Sequence, residues 1–149
     1  MIEYRTGDIL ESDCRVICHQ VNCCGVMGAG LAKQVRVKYP IVYTRYKHEC
    51  ATNSKRDLLG TAQYVQVSEN PRQFVCNIFG QCFYGTDKRY TDYDALRTAF
   101  KSIAYRFPTH SIAIPYNMGC GLAGGDWQTV LSIIEDELSN CRVYIYTRG

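Results

Sequence analysis

The residues best suited to chemistry in this chain surround two glycine-rich loops. The first reads Asn22-Cys23-Cys24-Gly25-Val26-Met27-Gly28-Ala29-Gly30-Leu31 and the second Met118-Gly119-Cys120-Gly121-Leu122-Ala123-Gly124-Gly125-Asp126; together they hold seven of the twelve glycines. Glycine reaches positive φ and lets the backbone approach a ligand, so successive N–H groups can converge on one oxyanion. Each loop leads from an apolar run into an amphipathic one. A helix starting there adds free N–H groups and the positive end of its dipole. Two such loops in one small domain predict a diphosphate held between them. Three side chains beside them could do more. His19 enters the first loop, and an imidazole of ordinary pKa, ~6.5, exchanges a proton near neutral pH. Asp126 leaves the second loop, where an aspartate either acts in the site or caps the next helix. Cys120 lies between glycines near a helix start, a setting that can activate a thiol. No histidine pairs with it in sequence, so a small residue filling a tight loop is the simpler reading.

Neither loop ends in Gly-Lys-Ser/Thr, so neither is a P-loop with a lysine placed for β- and γ-phosphates. Gly25-x-x-Gly28-x-Gly30 reverses the Gly-x-Gly-x-x-Gly dinucleotide fingerprint and follows the second strand-like run. The crowding of Cys14, Cys18, His19, Cys23 and Cys24 raises the question of metal. No Cys-x-x-Cys pair is present, however, and the nine cysteines are odd in number. Buried reduced thiols are therefore expected, with no metal and no cofactor.

The elements that must position these loops alternate. Apolar or alternating runs predict strands over 2–5, 16–21, 63–67, 74–79, 112–115 and 142–147, with a turn around Glu69-Asn70-Pro71. Helices are expected over 29–38, closed before Pro40, and over 42–50. Another follows Asp92 as N-cap, with the stripe Leu96, Phe100, Ile103 and Phe107, and stops at Pro108. The last carries Trp127, Val130, Leu131, Ile134 and Leu138. Such alternation predicts a mixed sheet with helices on both faces, a three-layer α/β/α sandwich. Ligands bind such sheets at the carboxyl ends of strands, where both glycine loops emerge.

A length of 149 residues suits one domain spanning 1–149, and 46% hydrophobic with 21% charged residues is ordinary for a globular chain. A net charge of +3 is too small and too dispersed to predict nucleic-acid binding by itself. No apolar run approaches the ~20 residues of a membrane span. Met1 to Arg5 lacks a signal-peptide core, so cytoplasmic residence and no membrane contact are expected.

Taken together, Gly7-Asp8-Ile9-Leu10, His19-Gln20-Val21-Asn22 leading into Gly25 to Ala32, Ile114-Pro115 leading into Gly119-Cys120-Gly121-Leu122, and Asp126-Trp127 resemble the macrodomain, the ADP-ribose-binding module. The resemblance covers essentially the whole chain. It is strongest to the branch containing ADP-ribose-1″-phosphate phosphatases and terminal ADP-ribose–glutamate hydrolases. It implies that Asp8 accepts a hydrogen bond from the adenine amino group while the Ile9 N–H supports the ring. Asn22 would contact the distal ribose. Gly28, Ala29, Gly30 and Leu31 would wrap the diphosphate and distal ribose, and Gly119, Cys120, Gly121 and Leu122 would close over the phosphates. Tyr144 or Tyr146 would either cover the adenine or pack in the core.

The chain departs from the glutamate-hydrolase pattern at two points. Where those relatives carry a lysine after the fifth strand-like run's predecessor at 74–79, this chain has Gly80-Gln81-Cys82, and the next cations are Lys88 and Arg89. Where they carry an aspartate after Gly-Cys-Gly-Leu, it has Ala123. A lysine covalent intermediate is not expected. The resemblance leaves His19, matched in phosphatase-like members, and Asp126, which would orient water at the distal ribose C1″, as catalytic candidates. The implied partner is ADP-ribose or ADP-ribose-1″-phosphate, free or attached to protein or nucleic acid. The implied activities are hydrolysis at the distal ribose or, alternatively, reading of ADP-ribose without chemistry. Reversal of nucleic-acid ADP-ribosylation is a third reading, carried by Asp126-Trp127.

Overall fold

A computed structural model describes residues 1–148. Six strands form one sheet: β1 (Ile2–Thr6), β2 (Val16–Val21), β3 (Ala62–Glu69), β4 (Arg72–Phe79), β5 (Ser111–Pro115) and β6 (Arg142–Thr147). Their order is β1-β6-β5-β2-β4-β3, parallel throughout except for the antiparallel β3–β4 hairpin. The helices are α1 (Gly30–Lys38), α2 (Pro40–Thr52), α3 (Lys55–Leu58), α4 (Tyr93–Arg106) and α5 (Trp127–Glu137). A 3₁₀ turn covers Ile9–Glu11.

Strand alternation divides the core in two. Val16, Cys18, Cys76 and Ile78 face Leu96, Phe100, Ile103, Val130 and Ile134 of α4 and α5. Ile17, Val21, Val75 and Phe79 face Val35, Val42 and Tyr46 of α1 and α2. Side chains on opposite faces of β2 are both covered, which is why that strand is almost continuously apolar. Each large apolar side chain buried this way contributes about 1.5–3 kcal/mol. The expected three-layer α/β/α sandwich is the observed one. The same alternation separates Cys18 from Cys14 and Cys23, which lie in the opposite core layer. Among the described residues no helix is long and apolar enough to cross a membrane.

Short elements are what the sequence reading passes over. The 3₁₀ turn at Ile9–Glu11 forms because Asp8 accepts from Leu10 N at 2.9 Å. The single turn of α3 is capped by Ser54, which accepts from Asp57 N. Neither is long enough to show a period.

The parallel strands β1, β2, β4, β5 and β6 end along one edge of the sheet. Asp8, the first glycine loop, Gln81, the second glycine loop and Arg148 therefore gather there from five separate parts of the chain.

Candidate active site

A continuous groove of three lobes runs along that edge. The first lobe, about 560 Å³, is lined by Asp8, Ile9, Gly30, Leu31, Tyr116 and Tyr146 among others. The middle lobe, about 260 Å³, lies between the two glycine loops and shares Gly30, Leu31, Pro115 and Tyr116 with the first. The third, about 380 Å³, shares Gln20, Ala29, Ala32, Gln81, Leu122 and Ala123 with the middle one and extends to Asn22, Val26, Gly28 and Tyr84.

The start of α1 forms one wall. Its N-cap is Ala29, which has no side chain to bond the free amides, whereas α4 and α5 are capped by Asp92 and Asp126. Ala29, Gly30, Leu31 and Ala32 all line the middle lobe, and no acidic side chain does. An uncapped helix start beside a lobe free of negative charge favours an anion.

The opposite wall is the second loop, and Gln20 fixes it. Gln20 Nε2 donates to Gln81 Oε1 at 2.7 Å and to Thr91 Oγ1 at 2.9 Å, and Thr91 Oγ1 donates to Gly119 O at 2.6 Å. A Cβ on either Gly80 or Gly119 would come within 2.6 Å of Gln20 Oε1. Gly119 also has φ +73°. At either place a Cβ would push the Gln20 amide aside, and at Gly119 the left-handed conformation itself favours glycine.

The first loop is held from within. Asn22 Nδ2 donates to Val26 O at 2.9 Å, while Asn22 Oδ1 accepts from Cys24 N at 2.9 Å and lies 2.7 Å from Tyr46 Oη. Cys23 and Met27 anchor the loop in the core, and Cys23 N donates to Cys82 O at 3.0 Å. Asn22 lines the third lobe, but its amide already ties the loop together.

Each side chain singled out in the sequence has a place. Asp8 is exposed in the first lobe beside buried Ile9. Tyr146 lines that lobe and donates to Ser12 Oγ at 3.1 Å, whereas Tyr144 lies under the Arg5 guanidinium at 3.9 Å. Gly121 and Leu122 line the middle lobe. Cys120 packs against the apolar layer under α4 and α5, and its thiol donates to Met118 O at 3.3 Å. Burial, with the charge of Asp126 added, pushes that thiol up to about 11, so it stays a neutral thiol at neutral pH.

Asp126 stands at the start of α5. It lines none of the three lobes. Its Oδ2 accepts from Thr129 N at 3.0 Å and from Thr129 Oγ1 at 2.9 Å, and its N–H donates to Tyr93 Oη at 2.9 Å. The carboxylate is the α5 N-cap. Lys88 and Arg89 are likewise outside the groove, stacked at 5.3 Å over Tyr90 and 4.4 Å over Tyr93. No lysine lines any lobe.

His19 does line the middle lobe, from β2, and is only 2% exposed. Its Nε2 meets Asn77 Oδ1 on β4 at 2.5 Å, while buried Nδ1 has no partner. Burial lowers the imidazole to about 4, against the smaller opposing effect of the Asn77 bond. The ring is neutral at neutral pH. Asn77 is a residue the sequence reading missed. A polar side chain inside the apolar run Phe74 to Phe79 is the signal that marks it.

A Macro domain family model matches residues 18–134. A macrodomain protein from Streptomyces coelicolor is 29% identical, with a TM-score of 0.80 and all of both chains covered. A DNA ADP-ribosyl glycohydrolase of Mycobacterium tuberculosis is 29% identical over 134 residues, 87% of this chain and 36% of the relative. An ADP-ribose 1″-phosphate phosphatase of Scheffersomyces stipitis is 32% identical over 111 residues, 62% of this chain and 64% of the relative. The chain thus spans about a third of the mycobacterial relative and under two thirds of the yeast one. With the model match over most of its length and the matching sandwich, the chain belongs to the macro domain family.

Proposed function

We propose that this chain, as one domain over 1–149, binds ADP-ribose along the groove and hydrolyses an ADP-ribose derivative at the distal ribose. The observation that carries the reading is the middle lobe. It is walled by an uncapped helix start and a glycine loop, holds no acidic side chain, and lies between two larger lobes. A diphosphate fits there with adenosine toward Asp8 and Ile9 and the distal ribose toward Asn22, Gly28 and Gln81. Ala29, Gly30 and Leu31 from one side, and Gly119, Cys120, Gly121 and Leu122 from the other, are the proposed wrapping residues. The names of the two curated relatives support chemistry on an ADP-ribose derivative, either removal of a 1″-phosphate or release of ADP-ribose from nucleic acid.

Catalysis in this reading rests on positioning and His19. With no lysine in the lobes, water is the proposed nucleophile, attacking the phosphorus or C1″ while the bond to the leaving oxygen or nitrogen breaks. In this reading neutral His19, on the wall of the middle lobe, is the group that accepts the proton of that water. Nine free cysteines suit a reducing compartment, so we place the protein in the cytoplasm.

A second reading, an ADP-ribose reader without chemistry, is favoured by two observations. Ala123 stands where the hydrolase-like pattern has an aspartate, and Asp126 is spent on capping α5. Two assays separate the readings: phosphate release from ADP-ribose-1″-phosphate, and ADP-ribose release from ADP-ribosylated DNA or protein. Turnover of either, lost in His19→Ala while ADP-ribose still binds, supports the enzyme. Binding without turnover of any of these substrates leaves the reader.

A further inference from the structure

His19 is the end of a polar chain that crosses three strands inside the apolar core. The register places His19 opposite Asn77, and Asn77 opposite Gln63. Asn77 Nδ2 donates to Gln63 Oε1 at 2.9 Å, and Gln63 Nε2 donates to the Arg45 carbonyl of α2 at 3.1 Å. Asn77 is fully buried and Gln63 half-buried.

The direction of every bond follows from the far end. A backbone carbonyl only accepts, so the Gln63 group facing Arg45 must be its NH₂. That turns Gln63 Oε1 toward Asn77, where it needs a donor, and Asn77 supplies Nδ2. Asn77 Oδ1 is then the atom facing His19, and it needs a donor in turn. His19 Nε2 must carry the hydrogen. In a neutral imidazole the other nitrogen is then a bare lone pair. We propose that Gln63 and Asn77 are positioning residues that hold His19 in its Nε2–H form, so that Nδ1 is the bare acceptor nitrogen of a ring that lines the middle lobe. The unpartnered state of Nδ1, on a ring that lines that lobe, is what this arrangement produces. Neither residue touches the groove, and neither belongs to the glycine loops.

The assignment of roles in turnover rests on the proposed function, but the tautomer itself does not. Nitrogen-15 NMR of the imidazole in the ligand-free protein reads which nitrogen is protonated. At neutral pH the expected result is a protonated Nε2 and a bare Nδ1 for His19. Gln63→Glu keeps an acceptor in front of Asn77 Nδ2 and should preserve this pattern. Gln63→Leu releases Asn77 to turn over, and should give a mixture of both tautomers. Gln63 is half-buried on an edge strand, so its variants avoid the folding risk of changing Asn77. With a substrate that the wild type turns over, Gln63→Leu should lower kcat about tenfold with little change in KM, and Gln63→Glu should restore it. A wild-type His19 protonated on Nδ1, or a Gln63→Leu variant with an unchanged tautomer, overturns the proposal. Absence of turnover with all substrates defeats the enzyme reading and leaves the NMR result to decide this one.

Discussion

Asp8, His19 and Asp126 are ionisable side chains that the sequence brings beside the loops, and their surroundings give them different work. Asp8 is exposed and uses one oxygen to bond Leu10 N. If it also accepts from the adenine amino group, Asp8→Ala removes a charge-assisted hydrogen bond worth about 1.5–3 kcal/mol. Calorimetry with ADP-ribose should show at least a tenfold weaker affinity, since about 1.4 kcal/mol is tenfold. His19 makes a second quantity measurable. Its folded pKa is about 4, below the ordinary 6.5. The unfolded chain therefore binds a proton first as pH falls, and the stability held above pH 6.5 is lost on the way down to pH 4. Between pH 7 and pH 5 this one group should cost about 2 kcal/mol of unfolding free energy. Urea titrations at the two pH values should show that loss in the wild type and a shallower one in His19→Asn. Equal losses would mean that the ring is not buried as described.

Helix ends show why some of this could be read in advance and some could not. The stripe Leu96, Phe100, Ile103 with Asp92 ahead of it specifies α4, because a period and a cap agree. Asp126 ahead of Trp127 is the same signal, but a capping aspartate and a catalytic one are identical in sequence. Only the 3.0 Å bond to Thr129 N and the position outside the lobes separate them. A polar residue within an apolar strand flags Asn77, but its pairing with His19 and Gln63 depends on strand register, which no single run of residues contains. The fit of Gln20 between Gly80 and Gly119 has the same origin. The start of α1 offers a direct test of the division between stability and binding. Ala29→Asp would cap α1 and complement its dipole, stabilising the fold by about 1 kcal/mol. The same carboxylate would face the diphosphate. Thermal unfolding should shift upward while ADP-ribose affinity drops more than tenfold. A rise in stability with unchanged affinity would remove the diphosphate from this lobe. Gly119→Ala and Gly121→Ala form a companion pair. The first is strained by φ +73° and meets Gln20 at 2.6 Å, whereas a Cβ at Gly121 meets nothing within 4 Å. The first should weaken binding and stability together, and the second should fold as the wild type does.

The groove exists only when the whole sheet is assembled. Its walls come from 7–9, 19–34, 81–86, 115–123 and 146–148, segments that the parallel order of β1, β6, β5, β2 and β4 brings together. A ligand spanning all three lobes binds the folded chain and has no counterpart in the unfolded one. At a concentration of about 100 times its Kd, ADP-ribose should therefore add about 2.7 kcal/mol to the unfolding free energy. The distribution of that gain is the sharper test. Amide exchange should slow together in all five segments, because each loses local opening only when the ligand bridges it to the others. The hairpin turn between β3 and β4, at the opposite edge, should exchange as before. ADP alone fills the adenosine and diphosphate lobes, so it should protect 7–9, 30–34 and 115–121 but leave 84–86, which line only the third lobe, unchanged. Protection of 84–86 by ADP-ribose and not by ADP would locate the distal ribose in the third lobe beside Tyr84, whereas identical protection by the two would show that the third lobe takes no part in binding.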